Sequence, residues 1–562
     1  MFYERLPMNN NTLSCFTRSP RFSRLHVCVL THFVLLPLLL SATEYEYGPY
    51  TYIVTDNNEA AIIYYDGDNA NVSIPSTLGG YPVAVIGDDV FEMCDSLKTV
   101  TIPNSVKSIG NGAFCGCDAL KSVTIGNSVT NIGDGVFSDC IALPSVIIPN
   151  SVKSIGNGAF CGCEILKSVT IGSSVVTIGD GAFSACIALP SVIIPNSVTS
   201  IGDEAFSDCT ALTSITIGSS VASIGDSAFY GCESLTSVTI GNSVKSIGEY
   251  AFEDCIALKT IVMGNSVTNI GDEAFSNCSS LTNITVSAGN PKYADRGGVL
   301  FDRSLTTLIQ YPCGRSGSYT IPGDVTSIGA YAFSWCAALT SVMISSSVTN
   351  IGDGAFSNCS SLTNITVSAG NPKYADRGGV LFDRSLTTLI QYPCGRSGSY
   401  TIPGDVTSIG AYAFSWCAAL TSVMISNGVA NIGNRAFTQC GSLAVVLFTG
   451  NAPTAGNLVF DGTPATLYYF PDTEGWSSSF ANRPAVCWNP AFSSTSSASG
   501  MFAFTLTGDA DANIPVRIEA SDSLTAPFWS AVTDTTIPAS GTLNFTDADT
   551  RPSRFYRLTF PR

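Results

Sequence analysis

The chain has 562 residues, of which 45% are apolar and 12% are charged, so it is too long for one ordinary globular core and too apolar for a disordered chain. Its formal net charge of −17 argues against nucleic acid as a partner, because such binding needs Lys and Arg to neutralise phosphates. We therefore expect several domains or a repeat array.

Segment 1–42 has the features of a secretory signal peptide. Arg18, Arg21 and Arg24 precede a mostly apolar run over 25–40, and small residues follow that run. This order of basic, apolar and small residues is typical of a cleaved signal, and the run is shorter than the roughly 20 residues of a permanent span. We expect a mature chain without a membrane span, either secreted or at the cell surface.

The position of the histidines excludes several kinds of chemistry. The sequence contains two, His26 and His32, and both lie in the predicted signal peptide. Without that segment the chain has no imidazole, which excludes Ser-His-Asp and Cys-His nucleophiles and histidine-ligated metal sites. We predict that the protein is not an enzyme and has no catalytic residue, no metal site and no cofactor.

The middle of the chain repeats with a period of 23 residues, marked by the pair Ile-Gly. Residues 274–345 and 355–426 are identical, which indicates a tandem duplication at an offset of 81 residues. A fixed period of this length is the signature of a repeat array, which we place at 81–448. The isoleucines of the pair are Ile86, Ile109, Ile132, Ile155, Ile178, Ile201, Ile224, Ile247, Ile270, Ile328, Ile351, Ile409 and Ile432.

The unit over 120–140 shows why the repeats must stack. Residues 123–125 alternate apolar and polar, as in a strand with one buried face, and Val136, Phe137 and Cys140 have the spacing of one helical turn. Burying an apolar side chain contributes roughly 1.5–3 kcal/mol, whereas ordering each residue's backbone costs about 1–2 kcal/mol. One unit cannot fold alone, so we predict a repeat solenoid: a β-rich α/β superhelix of short strands and short helical turns.

The repeat closely resembles the BspA-like leucine-rich repeats of the Treponema pallidum type. A clear copy is Leu-Thr-Ser-Ile-Thr-Ile at 212–217, followed by Ile-Gly-Asp-Ser-Ala-Phe at 224–229 and by Cys232. The resemblance covers about 45–488. It implies a leucine-rich-repeat fold and a surface protein that mediates adhesion to host proteins or neighbouring cells.

The flanks of the array predict four further segments. An N-terminal cap at 43–80 and a C-terminal cap at 449–488 would cover the open ends of the array. A serine-rich linker at 489–500 would lead to a module at 501–562. Short alternating segments in that module predict a small β-sandwich.

Thirteen cysteines share one position in the repeat, eight residues after the Ile of each Ile-Gly pair. An exported protein can use cysteines as disulfides, but Cys is also one of the most buried small residues. An odd number in one ladder is poorly suited to pairing, so we predict reduced, buried packing groups. They are Cys94, Cys117, Cys140, Cys163, Cys186, Cys209, Cys232, Cys255, Cys278, Cys336, Cys359, Cys417 and Cys440.

The outward side of the first strand in each repeat is the candidate binding surface for an extracellular protein or glycan. It is rich in hydroxyl groups, includes apolar residues such as Ile147, Ile193, Met343, Met424 and Leu447, and has almost no charge. The alternative is that Ser and Thr simply suit strand exteriors. The candidate binding residues are Thr124, Thr170, Thr216, Thr239, Thr285 and Thr366.

Two other functions remain open at this stage. The solenoid could be a structural spacer that displays the C-terminal module. It could also be a carbohydrate-active enzyme, which would need paired carboxylates in a cleft. Against the enzyme, acids such as Asp134, Asp180 and Asp203 lie at copies of the same turn.

Overall fold

A computed structural model describes residues 43–498, 501–508, 513–525, 527–549 and 554–560. The predicted signal peptide, 1–42, lies outside these residues. Within the described residues, the chain divides into two compact units, of which unit 1 ends at residue 315 and unit 2 begins at residue 316. Every regular element in the described ranges is a β-strand, and none of these ranges forms an apolar helix of membrane-spanning length.

Unit 1 begins with short strands that lead into a β-solenoid. Strands Glu44–Tyr47, Tyr50–Val54 and Ala60–Tyr65 pair antiparallel in sequence order, and the last then pairs parallel with Tyr81–Ile86. The antiparallel strands therefore occupy the edge of the long parallel sheet of unit 1. Strands Asn71–Ser73 and Thr77–Leu78 complete this region.

Each coil of unit 1 contributes two short strands. The second strands pair in parallel in one continuous series, whereas the first strands pair in parallel in groups of two or three. The first strands are Thr99–Thr101, Ser122–Thr124, Ser145–Ile147, Ser168–Thr170, Ser191–Ile193, Ser214–Thr216, Ser237–Ile240, Thr260–Met263 and Asn283–Val286. The second strands are Ser108–Ile109, Asn131–Ile132, Ser154–Ile155, Thr177–Ile178, Ser200–Ile201, Ser223–Ile224, Ser246–Ile247 and Asn269–Ile270. The unit ends with antiparallel strands Tyr293–Arg296, Val299–Asp302 and Thr307–Gln310.

The predicted stacking of coils is confirmed in this unit. Ile132 pairs with both Ile109 and Ile155, one coil away on each side, and the rings of Phe114 and Phe137 stack at a centroid distance of 5.3 Å. The glycine of the Ile-Gly pair is needed because the coils approach closely: a Cβ on Gly156 would lie 2.4 Å from the carbonyl carbon of Gly133. Each coil thus buries its apolar residues against the next.

The helical turn predicted around Val136, Phe137 and Cys140 is wrong. Alternate amides there bond to the next coil: Gly135 N donates to Asn157 O at 2.8 Å and Phe137 N to Ala159 O at 2.8 Å. An α-helix would send these amides to carbonyls four residues earlier in the same coil. The positive φ angle of Asp139, 57°, also breaks a right-handed helix.

Unit 2 contains further coils of the same kind. Its first strands are Gly317–Thr320, Leu339–Ile344, Asn364–Val367, Gly398–Thr401, Leu420–Ile425, Val445–Phe448, Thr466–Tyr469 and Arg483–Cys487. Its second strands are Ser327–Ile328, Asn350–Ile351, Ser408–Ile409, Asn431–Ile432 and Thr454–Ala455. Three antiparallel strands, Tyr374–Arg377, Val380–Asp383 and Thr388–Gln391, lie between the first strands Asn364–Val367 and Gly398–Thr401. Ser479–Phe480 pairs antiparallel with Arg483–Cys487.

The cysteine ladder is largely buried, but one member departs from the prediction of reduced thiols. Cys417 forms a disulfide with Cys394 over a sequence separation of 23 residues. Cys394 lies outside the ladder, just after the strand Thr388–Gln391, and the stacking of coils brings the two Cα atoms to 4.3 Å. The prediction is therefore wrong for Cys417, because it considered pairs only within the ladder.

The end of the chain forms two antiparallel sheets of three strands each. The serine-rich segment 489–500, predicted as a linker, contains the first of these strands, Ala491–Ala498, which pairs with Met501–Thr507. The linker prediction is therefore wrong for 491–498, because a serine-rich composition does not prevent the backbone from pairing with a neighbouring strand. The remaining strands are Ile514–Ser521, Ser530–Ile537, Thr542–Asp547 and Phe555–Thr559.

Candidate binding surface

The first strands of unit 1 place one outward residue per coil in a regular row, which we call the outward row. Parallel pairing aligns Ile147 with Thr170, and Ile193 with Thr216. This alignment arises because each strand alternates outward and inward residues and the 23-residue period preserves the register. From Thr124 onward the row comprises Thr124, Ile147, Thr170, Ile193, Thr216, Thr239, Val262 and Thr285.

The five candidate threonines of unit 1 are all exposed. Between them, Ile147 and Ile193 are each 69% exposed and Val262 is 42% exposed. A second parallel row lies two residues earlier on each strand, where Ser122, Ser145 and Ser168 are exposed. The surface therefore combines hydroxyl groups with exposed aliphatic side chains, and no charged residue stands in the outward row.

Four exposed lysines that the sequence did not single out lie at one edge of this surface. Lys121 and Lys167 directly precede two of the first strands, and both are exposed. Lys98 and Lys259 hold the same position in other coils and are exposed too. The pair Leu-Lys, which recurs directly before these strands, could have revealed these lysines in the sequence. These lysines add positive charge at one edge of a surface whose outward row has no charged residue.

The sixth candidate, Thr366, lies in unit 2 and has a different environment. It is partly buried, and its Oγ1 donates to Val342 O at 3.4 Å. The neighbouring Met343 pairs with it in register and is 46% exposed. Thr366 is therefore less available to a partner than the five threonines of unit 1.

The outward row of unit 2 is covered towards its end. Met424, Leu447 and Tyr468 follow one another in register on adjacent strands. Although the sequence placed Leu447 on the open surface, it is only 1% exposed, and Tyr468 is 6% exposed. Both pack against Phe560, close to the end of the chain. The prediction that the binding surface extends over Leu447 is therefore wrong.

The acidic residues at the turns have a structural role. Asn157 N donates to Asp134 Oδ1 at 2.7 Å, and Asp203 N donates to Asp180 Oδ1 at 2.9 Å. Each side chain thus accepts a backbone amide from the next coil. Burial raises the pKa of Asp203. Across the described part of the chain, no group of three or more His, Cys, Asp or Glu side chains is arranged to hold a metal ion.

Stacked coils with short parallel strands and inward Leu, Ile, Val and Phe side chains define a leucine-rich-repeat protein. The family model described as BspA type leucine-rich repeat region matches residues 84–213, 176–296, 310–378 and 391–482. The chain belongs to the BspA-type leucine-rich-repeat family, which confirms the resemblance seen in the sequence. A comparison with curated proteins gives no match.

Three solved structures illustrate this relationship. A leucine-rich cell surface protein from Faecalibacterium prausnitzii A2-165 is 32% identical, with coverage of 73% of this chain and 96% of that chain and a TM-score of 0.47. A leucine-rich-repeat protein from Bacteroides ovatus is 24% identical, covering 77% and 95%, with a TM-score of 0.39. The T. pallidum leucine-rich-repeat protein is 27% identical, covering 43% and 91%, with a TM-score of 0.27.

Proposed function

We propose that this protein is a secreted or cell-surface, non-catalytic, adhesin-like protein that binds an extracellular protein or glycan through the outward row of unit 1. The observation that carries the proposal is the exposed, in-register alternation of threonines with Ile147 and Ile193, each isoleucine being 69% exposed. The F. prausnitzii relative, described as a cell surface protein, supports the location.

The chemistry of the row suits an extended partner. Threonine hydroxyls can both donate and accept hydrogen bonds. Each coil places one side chain in the row, either a threonine or an aliphatic residue, at the spacing of about 4.8 Å between paired strands. Aliphatic side chains between them add apolar contact area that is removed from water on binding. Thr124, Thr170, Thr216, Thr239, Thr285 and Thr366 remain our candidate binding residues, with Thr366 the least accessible.

The absence of catalysis is part of the proposal. The turn carboxylates that an enzyme would need accept backbone amides of adjacent coils, as Asp134 and Asp180 do. We also propose that 43–80 and 449–488 act as caps, and that the two C-terminal sheets form a small β-sandwich around Leu506, Ile518 and Ile537.

Binding of the full chain to purified extracellular matrix proteins and to a glycan array tests this function. The double variant Ile147→Lys/Ile193→Lys puts two charges into the outward row and should weaken binding at least tenfold. The control Ile187→Lys/Ile256→Lys adds the same charges at two other exposed isoleucines, 43% and 41%, outside the first strands, and should bind as the unmodified protein does. Equal binding by all three proteins would refute the proposal, and binding confined to residues 501–562 would favour a spacer.

A further inference from the structure

The tandem duplication gives unit 2 a cluster of four aromatic side chains on its surface. Both copies contain the turn Gly-Ala-Tyr-Ala-Phe-Ser-Trp-Cys. The Tyr331 ring of one copy lies 5.8 Å from the Tyr412 ring of the other, and the Trp335 ring lies 5.0 Å from the Trp416 ring. All four side chains are partly exposed. These four residues, which we call the aromatic patch, thus join two equivalent Tyr-Trp pairs on one surface.

Contacts within unit 2 hold the tyrosine rings of the patch in place. Tyr331 Oη donates to Tyr412 Oη at 3.0 Å. The Tyr331 ring also lies against Gly354, where an added Cβ would be 2.5 Å from its Cε1 atom. Because these rings are already ordered, a ligand loses little affinity to the ordering of side chains. The Tyr412 hydroxyl can still donate its own proton to a ligand.

Side-chain amides lie next to both tryptophans of the patch. The backbone amide of Trp335 donates at 3.0 Å to the carbonyl oxygen of the residue just before Asn358, and Trp416 is related to Gln439 in the same way, at 2.9 Å. Asn358 and Gln439 thus stand one coil further along the solenoid, and both are partly exposed. A side-chain amide both donates and accepts hydrogen bonds. Each indole ring therefore has a neighbour that can bond to donors as well as acceptors.

The turns around the patch carry almost no charge. Asp353 and Arg435 are their charged residues, and the two have opposite signs. By contrast, the turn 248–255 of unit 1 contains three carboxylates. The patch therefore matches an uncharged ligand, and the net charge of −17 opposes a polyanion. The turns compared are 329–336, 352–359, 410–417 and 433–440.

We propose that the aromatic patch binds an uncharged polysaccharide. The C–H groups on the face of a sugar ring pack against the aromatic rings, and its hydroxyls bond to Tyr412 Oη and to the amides of Asn358 and Gln439. Two equivalent Tyr-Trp pairs suit a chain of identical sugar units. A proline-rich peptide also packs on aromatic surfaces, but its backbone offers mainly acceptors, whereas the amides match hydroxyls that both donate and accept. The patch lies in unit 2 and does not depend on the outward row of unit 1.

Calorimetric titration of the full chain with cellohexaose, chitohexaose, maltohexaose and mannohexaose tests the proposal. We expect saturable binding of at least one of these uncharged oligosaccharides. Trp335→Ala and Trp416→Ala should each weaken that binding about tenfold, because aromatic side chains dominate such contacts. Trp335→Phe keeps a ring and should lose less. The control Trp529→Ala removes a partly exposed tryptophan that contacts Arg557 instead and should bind as the unmodified protein does.

Four results would overturn the proposal. The first is the absence of saturable binding of all four oligosaccharides, and the second is binding that both Trp335→Ala and Trp416→Ala leave unchanged. The third is tighter binding of a proline decapeptide than of any oligosaccharide. The fourth is oligosaccharide binding that Ile147→Lys/Ile193→Lys abolishes, since that result would assign the sugar to the outward row of unit 1. Thermal unfolding of each variant, followed by circular dichroism, shows that a lost affinity is not a lost fold.

Discussion

The thiol of Cys140 donates a hydrogen bond to the carbonyl oxygen of Phe114 in the preceding coil, at an Sγ···O distance of 3.3 Å. Cys209 and Phe183 repeat this contact at 3.2 Å. Thr463 occupies the same relative position in a later coil, and its hydroxyl donates to Phe437 O. The repeat therefore requires a small side chain with a hydrogen-bond donor at this position, and Cys is one solution.

Replacing Cys140 tests this requirement. Cys140→Ala removes both the sulfur and the donor, so it should lower the free energy of unfolding by about 1–3 kcal/mol. Cys140→Ser keeps a donor and should cost less. Chemical denaturation of the full chain, followed by circular dichroism, measures both. If the serine variant is no more stable than the alanine variant, the hydrogen-bond donor is not required, and packing alone explains the small side chain at this position of the repeat.

The stacking of coils could be predicted from the sequence, but the local conformation at Phe137 could not. Inward residues recur every 23 residues, and only neighbouring coils can bury them. The spacing of Val136, Phe137 and Cys140 fits both a helical turn and an irregular turn, and the choice depends on whether the Phe137 amide bonds within its own coil or to Ala159 O. A pattern of side chains carries no information on that backbone choice.

The burial of Leu447 shows a second limit. The alternation of its strand places Leu447 outward, which is correct for the strand itself. Its cover, Phe560, comes from a segment more than a hundred residues later. Local periodicity cannot reveal such a distant contact. The available signal was that all residues of the strand Val445–Phe448 are apolar.

Adding a methyl group to Gly156 should strongly destabilise unit 1. The new Cβ would lie 2.4 Å from the backbone of Gly133, so Gly156→Ala must separate two coils and should cost about 3 kcal/mol. Gly241→Ala is the matched control, because nothing lies within 4 Å of its Cβ position, and its effect should stay within about 0.5 kcal/mol. Thermal unfolding of both variants tests the close approach. Similar effects of the two substitutions would contradict it.

Reduction should destabilise unit 2 through the Cys394–Cys417 disulfide. A bond that closes a loop of 23 residues stabilises the folded chain by about 2–4 kcal/mol, mainly by restricting the unfolded state. Dithiothreitol should therefore lower the unfolding midpoint of the unmodified protein. The variant Cys394→Ser should already have the lower midpoint and should not respond. An equal response of both proteins would assign the effect to other cysteines.

Buried thiols of the ladder should resist alkylation in the folded protein. Burial raises the pKa of Cys117, Cys209 and Cys440 to about 12 in each case, so almost no thiolate forms at pH 8. Iodoacetamide labelling read by peptide mass spectrometry should be slow at these residues until denaturant is added. Rapid labelling of Cys209 in the folded chain at pH 8 would show that its coil opens readily.

Glu253 should make the stability of unit 1 depend on pH. Burial, with Glu273 and Asp254 nearby, raises its pKa from 4.5 to about 8, so the folded state favours the protonated acid. The unfolded chain loses this proton near pH 4.5, and stability therefore falls as the pH rises from about 4.5 to about 8. Glu253→Gln should increase the free energy of unfolding by about 1–3 kcal/mol at pH 8 and hardly at all at pH 4.

The control Glu249→Gln changes an exposed carboxylate of the same coil and should have little effect at either pH. Denaturation curves of the three proteins at both pH values measure these free energies of unfolding. If Glu253→Gln increases the free energy of unfolding equally at pH 4 and pH 8, titration of Glu253 is not the cause.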